Sequence, residues 1–366
     1  MYVKWIKLRN FRNYKELYLE FSKGVNVLIG DNAQGKTNIL EGIYYCSLGK
    51  SHRTSRDKEI IKWNEDSSFV SVYTEKKRID RRIDIKISKE GKKSIKVNSI
   101  GINKITDLIG NLNCVIFSPE DLKIVKESPS YRRKFLDIEL CKLDRKYFYC
   151  LVKYNKLLNE KNNALRKWSK INNDLLDIYD QGISQYGGYI VKERLKYLEK
   201  LNNICGKMHK EITENKEALS FEYITSIKNL KDIEVGLLEE LKISRVKDFE
   251  RRTNSHGPNK DDFSVLINGV DARYYGSQGQ QRTAVLSMKF ACLEIIKEII
   301  GEYPVLLLDD VLSELDYSRQ KYILSSVNNV QTIITTTGSL DIKNLGSEDL
   351  RIFKVENESV ELFKEE

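Results

Sequence analysis

Residues Val25–Asn38 read VNVLIGDNAQGKTN, and this stretch settles the class of fold. An apolar run stops at Gly30, and Gly30–Thr37 then fill every fixed position of G-x-x-x-x-G-K-[ST]. Helical spacing follows at Ile39, Leu40, Ile43 and Leu48. A strand that ends in a glycine turn and opens a helix is the local architecture of a phosphate-binding loop in an α/β protein. Gly30 lets the backbone leave the strand sharply, and Gly35 lets the chain approach a phosphate closely. The backbone around Asp31, Asn32, Ala33, Gln34 and Asn38 then rings a β-phosphate at a helix N-terminus, where the dipole favours negative charge. Lys36 is placed to reach the β- and γ-phosphates, and the Thr37 hydroxyl to ligate Mg²⁺. The expected ligand is a nucleotide with its metal.

Three further stretches narrow the class. In YPVLLLDDVLSELD, Tyr303–Asp316, the apolar run Val305–Leu308 ends in Asp309, where a buried central strand would deliver a second Mg²⁺ ligand. Asp310, the next residue, stands where a general base for an attacking water would sit. The following Ser313–Asp316 resembles the D-loop of ABC-type ATPases, which makes Asp316 a candidate nucleotide contact. In YGSQGQQRTAVLSMK, Tyr275–Lys289, a Ser-Gly-Gln turn opens a helix and resembles the ABC signature, with Ser277, Gly279 and Gln280 as its polar face. Ser277 and Gln280 also fit an S-x-x-Q capping box. The stretch TIITTTG, Thr332–Gly338, reads as a buried strand ending in Thr336 and Thr337, where ABC-type proteins carry a histidine that senses the γ-phosphate. Thr337 is a candidate at that place. The string NKDD, Asn259–Asp262, matches a guanine-recognition pattern, but it follows a turn where that pattern ends a strand, so adenine is the expected base.

The composition bounds the rest. The chain has 366 residues, with Lys+Arg 62 against Asp+Glu 53 and a formal net charge of +9. That excess suits a polyanionic partner, nucleic acid before an anionic membrane. Six cysteines show no C-x-x-C pair, and with three histidines no zinc-type cluster is expected. The N-terminal MYVKWIKLRNF alternates like a strand and lacks the apolar core of a signal peptide. No apolar run has the length of a membrane span, so a cytoplasmic protein is expected. Ser68–Val97 reads as β-hairpins, whereas Tyr131–Leu241 keeps i, i+3, i+4 apolar spacing with few turn residues. The expected fold class is therefore α/β: an ABC-type P-loop ATPase head with an N-terminal β-rich subdomain and an inserted α-helical domain. Residues 1–125 and 251–366 would form the discontinuous ATPase domain, and 126–250 the insertion.

Taken together, LRNFRNY (Leu8–Tyr14), GDNAQGKTNILEGIYYCSLGKSHR (Gly30–Arg53), FSPEDLKIVKESPSYRRKFLD (Phe117–Asp137), GPNKDDFSVLINGVDARYYGSQGQQR (Gly257–Arg282) and LLLDDVLSELD closely resemble the RecF family of SMC-like ABC ATPases over nearly the whole chain. Asn259-Lys260 departs from the His-Arg expected after Gly-Pro. The resemblance implies ATP and Mg²⁺ as cofactors, a weak DNA-stimulated ATPase and an ATP-dependent head-to-tail homodimer. It implies action on double-stranded DNA at single-strand gaps, with RecR and RecO as partners and RecA loading as the outcome, in recombination, replication and the SOS response. By analogy the Q-loop lies near Phe117–Asp121, with Glu120 as its candidate.

Two basic clusters suit phosphate contacts, which fix affinity rather than sequence. One brings Lys50, Arg53 and Arg56 together after the P-loop helix, and the other places Lys76, Lys77 and Arg78 near a hairpin tip. The second serves equally as a solvated charged hairpin, and the SYRRKF group at Tyr131 equally as structure. An ABC transporter subunit is the main rival; it would need a small insert with a glutamine-bearing Q-loop and a membrane partner.

Overall fold

The apolar run before the glycine turn folds as a buried strand between two parallel neighbours. The computed structural model describes residues 1–312, 315–326, 329–338 and 349–365. In chain order come β1 (Tyr2–Phe11), β2 (Tyr14–Glu20), β3 (Val25–Ile29), α1 (Lys36–Leu48), β4 (Ser67–Glu75), β5 (Arg81–Ser88), β6 (Lys93–Val97), β7 (Ile100–Ile102) and β8 (Cys114–Phe117). Next are α2 (Lys123–Lys126), α3 (Pro129–Leu143), α4 (Arg145–Lys167), α5 (Asn173–Ile212), β9 (Leu219–Ile224), α6 (Ile233–Ile243) and α7 (Arg245–Arg251). The chain then forms β10 (Asp262–Ile267), β11 (Val270–Asp271), α8 (Ala272–Tyr275), α9 (Gln278–Ile300), β12 (Val305–Asp309), α10 (Tyr317–Ser326), β13 (Thr332–Thr336), β14 (Leu350–Glu356) and β15 (Ser359–Glu365).

Packing divides the chain into two compact units, Met1–Asp121 with Lys289–Glu366, and Leu122–Met288. Among the described residues, the first unit holds two sheets. One is antiparallel, in the order β2-β1-β4-β5-β6-β7; the other runs β15-β14-β3-β13-β12-β8, parallel except at β15. Helix α1 fills the space between them, and Leu8, Ile39, Ile43, Val70, Leu307 and Ile333 share one core. Strand β12 is buried at every position, which is why Val305–Leu308 is continuously apolar rather than alternating. Strand β1 departs from simple alternation, because Val3 and Ile6 are both buried. A register shift between Val3 and Trp5 switches the inward face there, as a bulge does.

In the second unit α4 packs along α5, a helix of 40 residues. Lys161, fully buried, ties α4 to α5 through Asp180 at 2.8 Å and to the residues after α7 through Asn254 at 2.7 Å. The helical spacing over Tyr131–Leu241 misses one strand. Left-handed turn residues Glu214 and Asn215 (φ 52° and 61°) end the helical run, and β9 then pairs antiparallel with β10. Its alternation of Leu219, Phe221 and Tyr223 is too short to stand out against the helical composition around it. The SYRRKF group is structural. Arg132 grips Asp262 through two hydrogen bonds of 2.7 and 2.8 Å, and Arg133 donates to Asp261 O at 2.9 Å. With its carboxylate so engaged and Asn259 accepting from Tyr154 Oη at 2.5 Å, the NKDD string is a pinned turn and not a base reader.

All six cysteines are buried and none forms a disulfide. No helix among the described residues is long and apolar enough to cross a membrane.

Candidate nucleotide-binding site

Parallel pairing aligns the ends of β3, β13 and β12, so residues distant in sequence leave the sheet side by side. Gly30 N donates to Thr336 O at 3.3 Å. A Cβ on Gly30 would lie 2.2 Å from Val355 O, so only glycine fits that exit. The loop turns through left-handed Ala33 and Gly35 (φ 66° and 108°), and α1 begins at Lys36. Asp31, Asn32 and Ala33 are exposed, whereas Gly35 and Lys36 are buried.

Thr37 Oγ1 donates to Asp309 Oδ1 at 2.7 Å, joining the P-loop helix to the end of β12 across 272 positions. Thr335 Oγ1 donates to the same oxygen at 2.9 Å and accepts from Asp310 N at 2.9 Å. A hydroxyl beside a buried carboxylate is a hard-oxygen donor pair of the kind that would hold Mg²⁺. Among the described residues no group of three or more His, Cys, Asp or Glu could hold a metal ion. The Lys36 ammonium donates to Gly30 O, and to Asp31 O at 2.8 Å. Burial lowers its pKa, opposed by the carboxylates of Asp310, Asp309 and Asp31. Asp310 holds a left-handed φ of 52°, a region Asp tolerates better than most residues.

The other expected contacts divide. Thr337 and Gly338 lie exposed just past β13. It is Thr335, buried within β13, whose hydroxyl reaches the carboxylate. Asp316 caps α10, accepting from Arg319 N at 2.9 Å and pairing with the Arg319 guanidinium. Ser313 and Glu314 lie outside the described residues. At the Q-loop, β8 ends beside β12 with Phe117 opposite Leu308, so Ser118 is the residue that follows next to Asp309. Glu120 is exposed, and Asp121 pairs with Lys289 at 2.7 Å.

The string LRNFRNY, which sequence reasoning took as part of the family resemblance without giving it a role, holds this loop. Asn13 Nδ2 donates to Gln34 O at 3.3 Å, and Asn38 Nδ2 donates to Asn13 Oδ1 at 2.7 Å. Gln34 Oε1 also accepts from Asn357 N at 2.7 Å. A Cβ on Gly35 would meet Asn13 Nδ2 at 2.5 Å and Tyr14 Oη at 2.7 Å, so Asn13-Tyr14 is a mould for the glycine turn. Arg12 donates to Glu41 through Nε at 2.8 Å and Nη2 at 2.5 Å. Glu41 is fully buried, and burial alone would raise its pKa. Hydrogen bonds from Arg12 and Ser51, with the charges of Arg12 and Arg53, outweigh that and hold it below the ordinary Glu value. A lone carboxylate amid the apolar positions of α1 was the one available signal.

The basic clusters separate in the same way. Arg53 Nη1 reaches Asn38 Oδ1 at 2.9 Å and Glu41 Oε2 at 3.3 Å, so this arginine is committed to the P-loop helix. Arg53 is nonetheless exposed, as are Lys50 and Arg56, which lack such bonds to the helix. Lys76 Nζ donates to Gly110 O at 2.9 Å and is half-buried, whereas Lys77, whose Nζ donates to Gly301 O at 3.2 Å, and Arg78 are both exposed.

The signature turn belongs to the second unit. The capping box forms as expected: Gln280 N donates to Ser277 Oγ at 3.2 Å, and Ser277 N donates to Gln280 Oε1 at 2.8 Å. Ser277 and Gln278 are exposed, and nothing lies within 4 Å of a Cβ built on Gly279.

The family model described as RecF/RecN/SMC N terminal domain matches residues 2–361. The DNA replication and repair protein RecF of Clostridium novyi (strain NT) is 60% identical over 360 residues, 98% of this chain and 99% of its own length. The protein of the same name from Clostridium tetani is 59% identical over 362 residues, 98% of each chain. Among solved structures, the recombination mediator protein RecF-ATP in the RecFOR pathway aligns with TM-score 0.92 and 40% identity, covering 99% of this chain and 98% of that one. An SMC head bound to the C-winged helix domain of ScpA, 16% identical with TM-score 0.60, covers 99% and 97% and shares the fold.

Proposed function

The chain belongs to the RecF family of SMC-like ABC ATPases, and from that membership we propose that it is an ATP-dependent DNA-binding protein of recombinational repair. The observation that carries this reading is the 2.7 Å contact of Thr37 Oγ1 with Asp309 Oδ1, which aims a hydroxyl and a carboxylate at one point beside Lys36. ATP sits on Gly30–Asn38, with Lys36 on the β- and γ-phosphates and Mg²⁺ on Thr37 and Asp309. Two copies enclose it head to tail. Ser277, Gly279 and Gln280 of one copy close over the γ-phosphate held by the other, and Asp316 and Thr337 complete the shared site. Asp310 polarises the attacking water. Its side chain is one methylene shorter than the Glu usual in ABC-type enzymes, and its N–H is tied to Thr335. Hydrolysis is therefore slow and dependent on dimer geometry, a timer rather than a motor.

The ATP-bound dimer grips duplex DNA beside a single-strand gap, and hydrolysis releases it. With RecR and RecO it promotes RecA loading. The net charge of +9 and the exposed Lys50, Arg56 and Arg78 support backbone contacts of this kind. In functional terms, 1–125 with 251–366 forms the ATPase domain and 126–250 the insertion.

Sedimentation of wild type and Lys36→Arg with ATP, with and without gapped duplex, tests the proposal. Wild type dimerises with ATP and the variant does not. A wild type that stays monomeric even with gapped DNA means the shared site is wrong. A turnover rate indifferent to protein concentration and to DNA argues equally against it.

A further inference from the structure

Gln280 is held by a carboxylate that lies outside its own turn. Its Nε2 donates to Glu217 Oε1 at 3.0 Å, while its Oε1 accepts from Ser277 N. The second Glu217 oxygen lies 3.3 Å from His209 Nε2, and His209 Nδ1 lies 3.0 Å from Ser287 Oγ. Ser287 Oγ lies 2.9 Å from Thr283 O, so its one proton serves either that carbonyl or His209 Nδ1, and Thr283 Oγ1 donates to Gly279 O at 2.8 Å. The bonds thus form a ring from the signature turn through Glu217, buried His209 and Ser287, back to the helix the turn opens.

Glu217 is itself fixed. Its N–H donates to Thr213 Oγ1 at 3.4 Å, and the next residue exchanges two 2.8 Å bonds with Asn268 on the β10–β11 turn. A carboxylate accepts only, so Gln280 must present its NH₂ to Glu217 and its carbonyl oxygen to Ser277 N–H. That orientation closes the capping box. The box uses a lone pair of Ser277 Oγ, which leaves the hydroxyl proton to be donated to an anion.

We propose that Glu217 is a positioning residue for the ATPase reaction: braced by His209, it fixes the Gln280 amide and so sets the Ser277 turn for the ATP held by a second copy. The proposal rests on the shared-site dimer and deepens it. Neither Glu217 nor His209 touches nucleotide; both act through Gln280.

The test varies Glu217 and leaves Gln280 in place. Glu217→Ala removes the acceptor that fixes the Gln280 amide, and Glu217→Gln keeps an acceptor oxygen facing it. The readouts are ATP affinity of the monomer, thermal midpoint, the ATP-dependent dimer dissociation constant, and kcat against KM. Glu217→Ala weakens ATP-dependent dimerisation about tenfold and lowers kcat, with monomer ATP affinity unchanged. Glu217→Gln stays within about threefold of wild type. If Glu217→Ala dimerises like wild type, or Glu217→Gln is as damaging as Glu217→Ala, Glu217 does not position the turn. Ser277→Arg separates the two levels. If it too dimerises normally, the shared site itself falls; if it alone fails to dimerise, only the Glu217 role is lost.

Discussion

The loop Gly30–Asn38 carries its own cation, whereas the turn Gly276–Gln281 carries none and offers a hydroxyl, amides and a helix N-terminus. The loop is also moulded by distant strands: Asn13 and Tyr14 press on Gly35, Val355 on Gly30, and Asn357 on Gln34. The turn is held within its own unit by a capping box and Glu217. A formal charge attracts a polyphosphate without help. Neutral donors at a helix end add their share only once an anion has been brought to them. Damage to the loop should therefore appear in the monomer, and damage to the turn only in the dimer.

The largest expected effect tests that division directly. Lys36→Ala should reduce ATP affinity of the monomer by about 100-fold or more, since it removes a charge-assisted contact from a partly desolvated site. Ser277→Arg should leave that affinity within about twofold and abolish ATP-dependent dimerisation. Titration with a fluorescent ATP analogue, paired with sedimentation, reads both. If Ser277→Arg weakened the monomer as much as Lys36→Ala does, the two turns would not be separable.

Asp310→Asn comes next. It keeps the backbone bond to Thr335 and loses the proposed base, so turnover should fall about 100-fold or more while ATP-dependent dimerisation persists or strengthens. A variant that neither hydrolyses nor dimerises would instead make Asp310 part of the binding apparatus.

Glu41 sharpens the contrast on the stability side. Glu41→Ala leaves Arg12 beside an empty buried position and should cost about 3 kcal/mol in urea unfolding. The carboxyl sits below its ordinary value in the folded state, so the unfolded chain takes up its proton first on acidification. This stabilisation is present above the unfolded value, about pH 4.3, and is lost as pH falls through the lower folded value. In Glu41→Gln, stability between pH 5 and pH 3 should decline less steeply than in wild type, because the proton that Glu41 takes up on unfolding is gone.

What sequence disclosed here follows from how local each device is. The P-loop, Asp309-Asp310 and the Ser277–Gln280 box are contiguous strings whose local geometry is set within a few residues: a glycine turn, a strand end and a capping box. The supports are non-local. Arg12 meets Glu41 across a helix–sheet junction, and Glu217 meets Gln280 across 63 positions. No spacing rule announces such pairs. Thr335 was passed over for Thr336 and Thr337 because strand facing cannot be assigned until its register is known. β9 was hidden because six alternating residues between helical stretches carry too little pattern to outweigh their surroundings.

The smallest effect concerns two arginines that sequence placed in one cluster. Arg56 is 81% exposed, with Glu59 3.9 Å away, and Arg53 bonds Asn38 and buried Glu41. An exposed pair of that length contributes little to stability. Arg56→Ala should therefore unfold like wild type and lower the slope of log K against log salt for duplex DNA by about one. Arg53→Ala should leave that slope nearly unchanged, lower stability by about 1 kcal/mol, and weaken ATP binding through Asn38 and the P-loop helix. Salt titrations of both variants on the same duplex decide the matter. If Arg53→Ala alone lowers the slope, the arginine leaves Glu41 to meet DNA, and the P-loop helix and the DNA surface are one device rather than two.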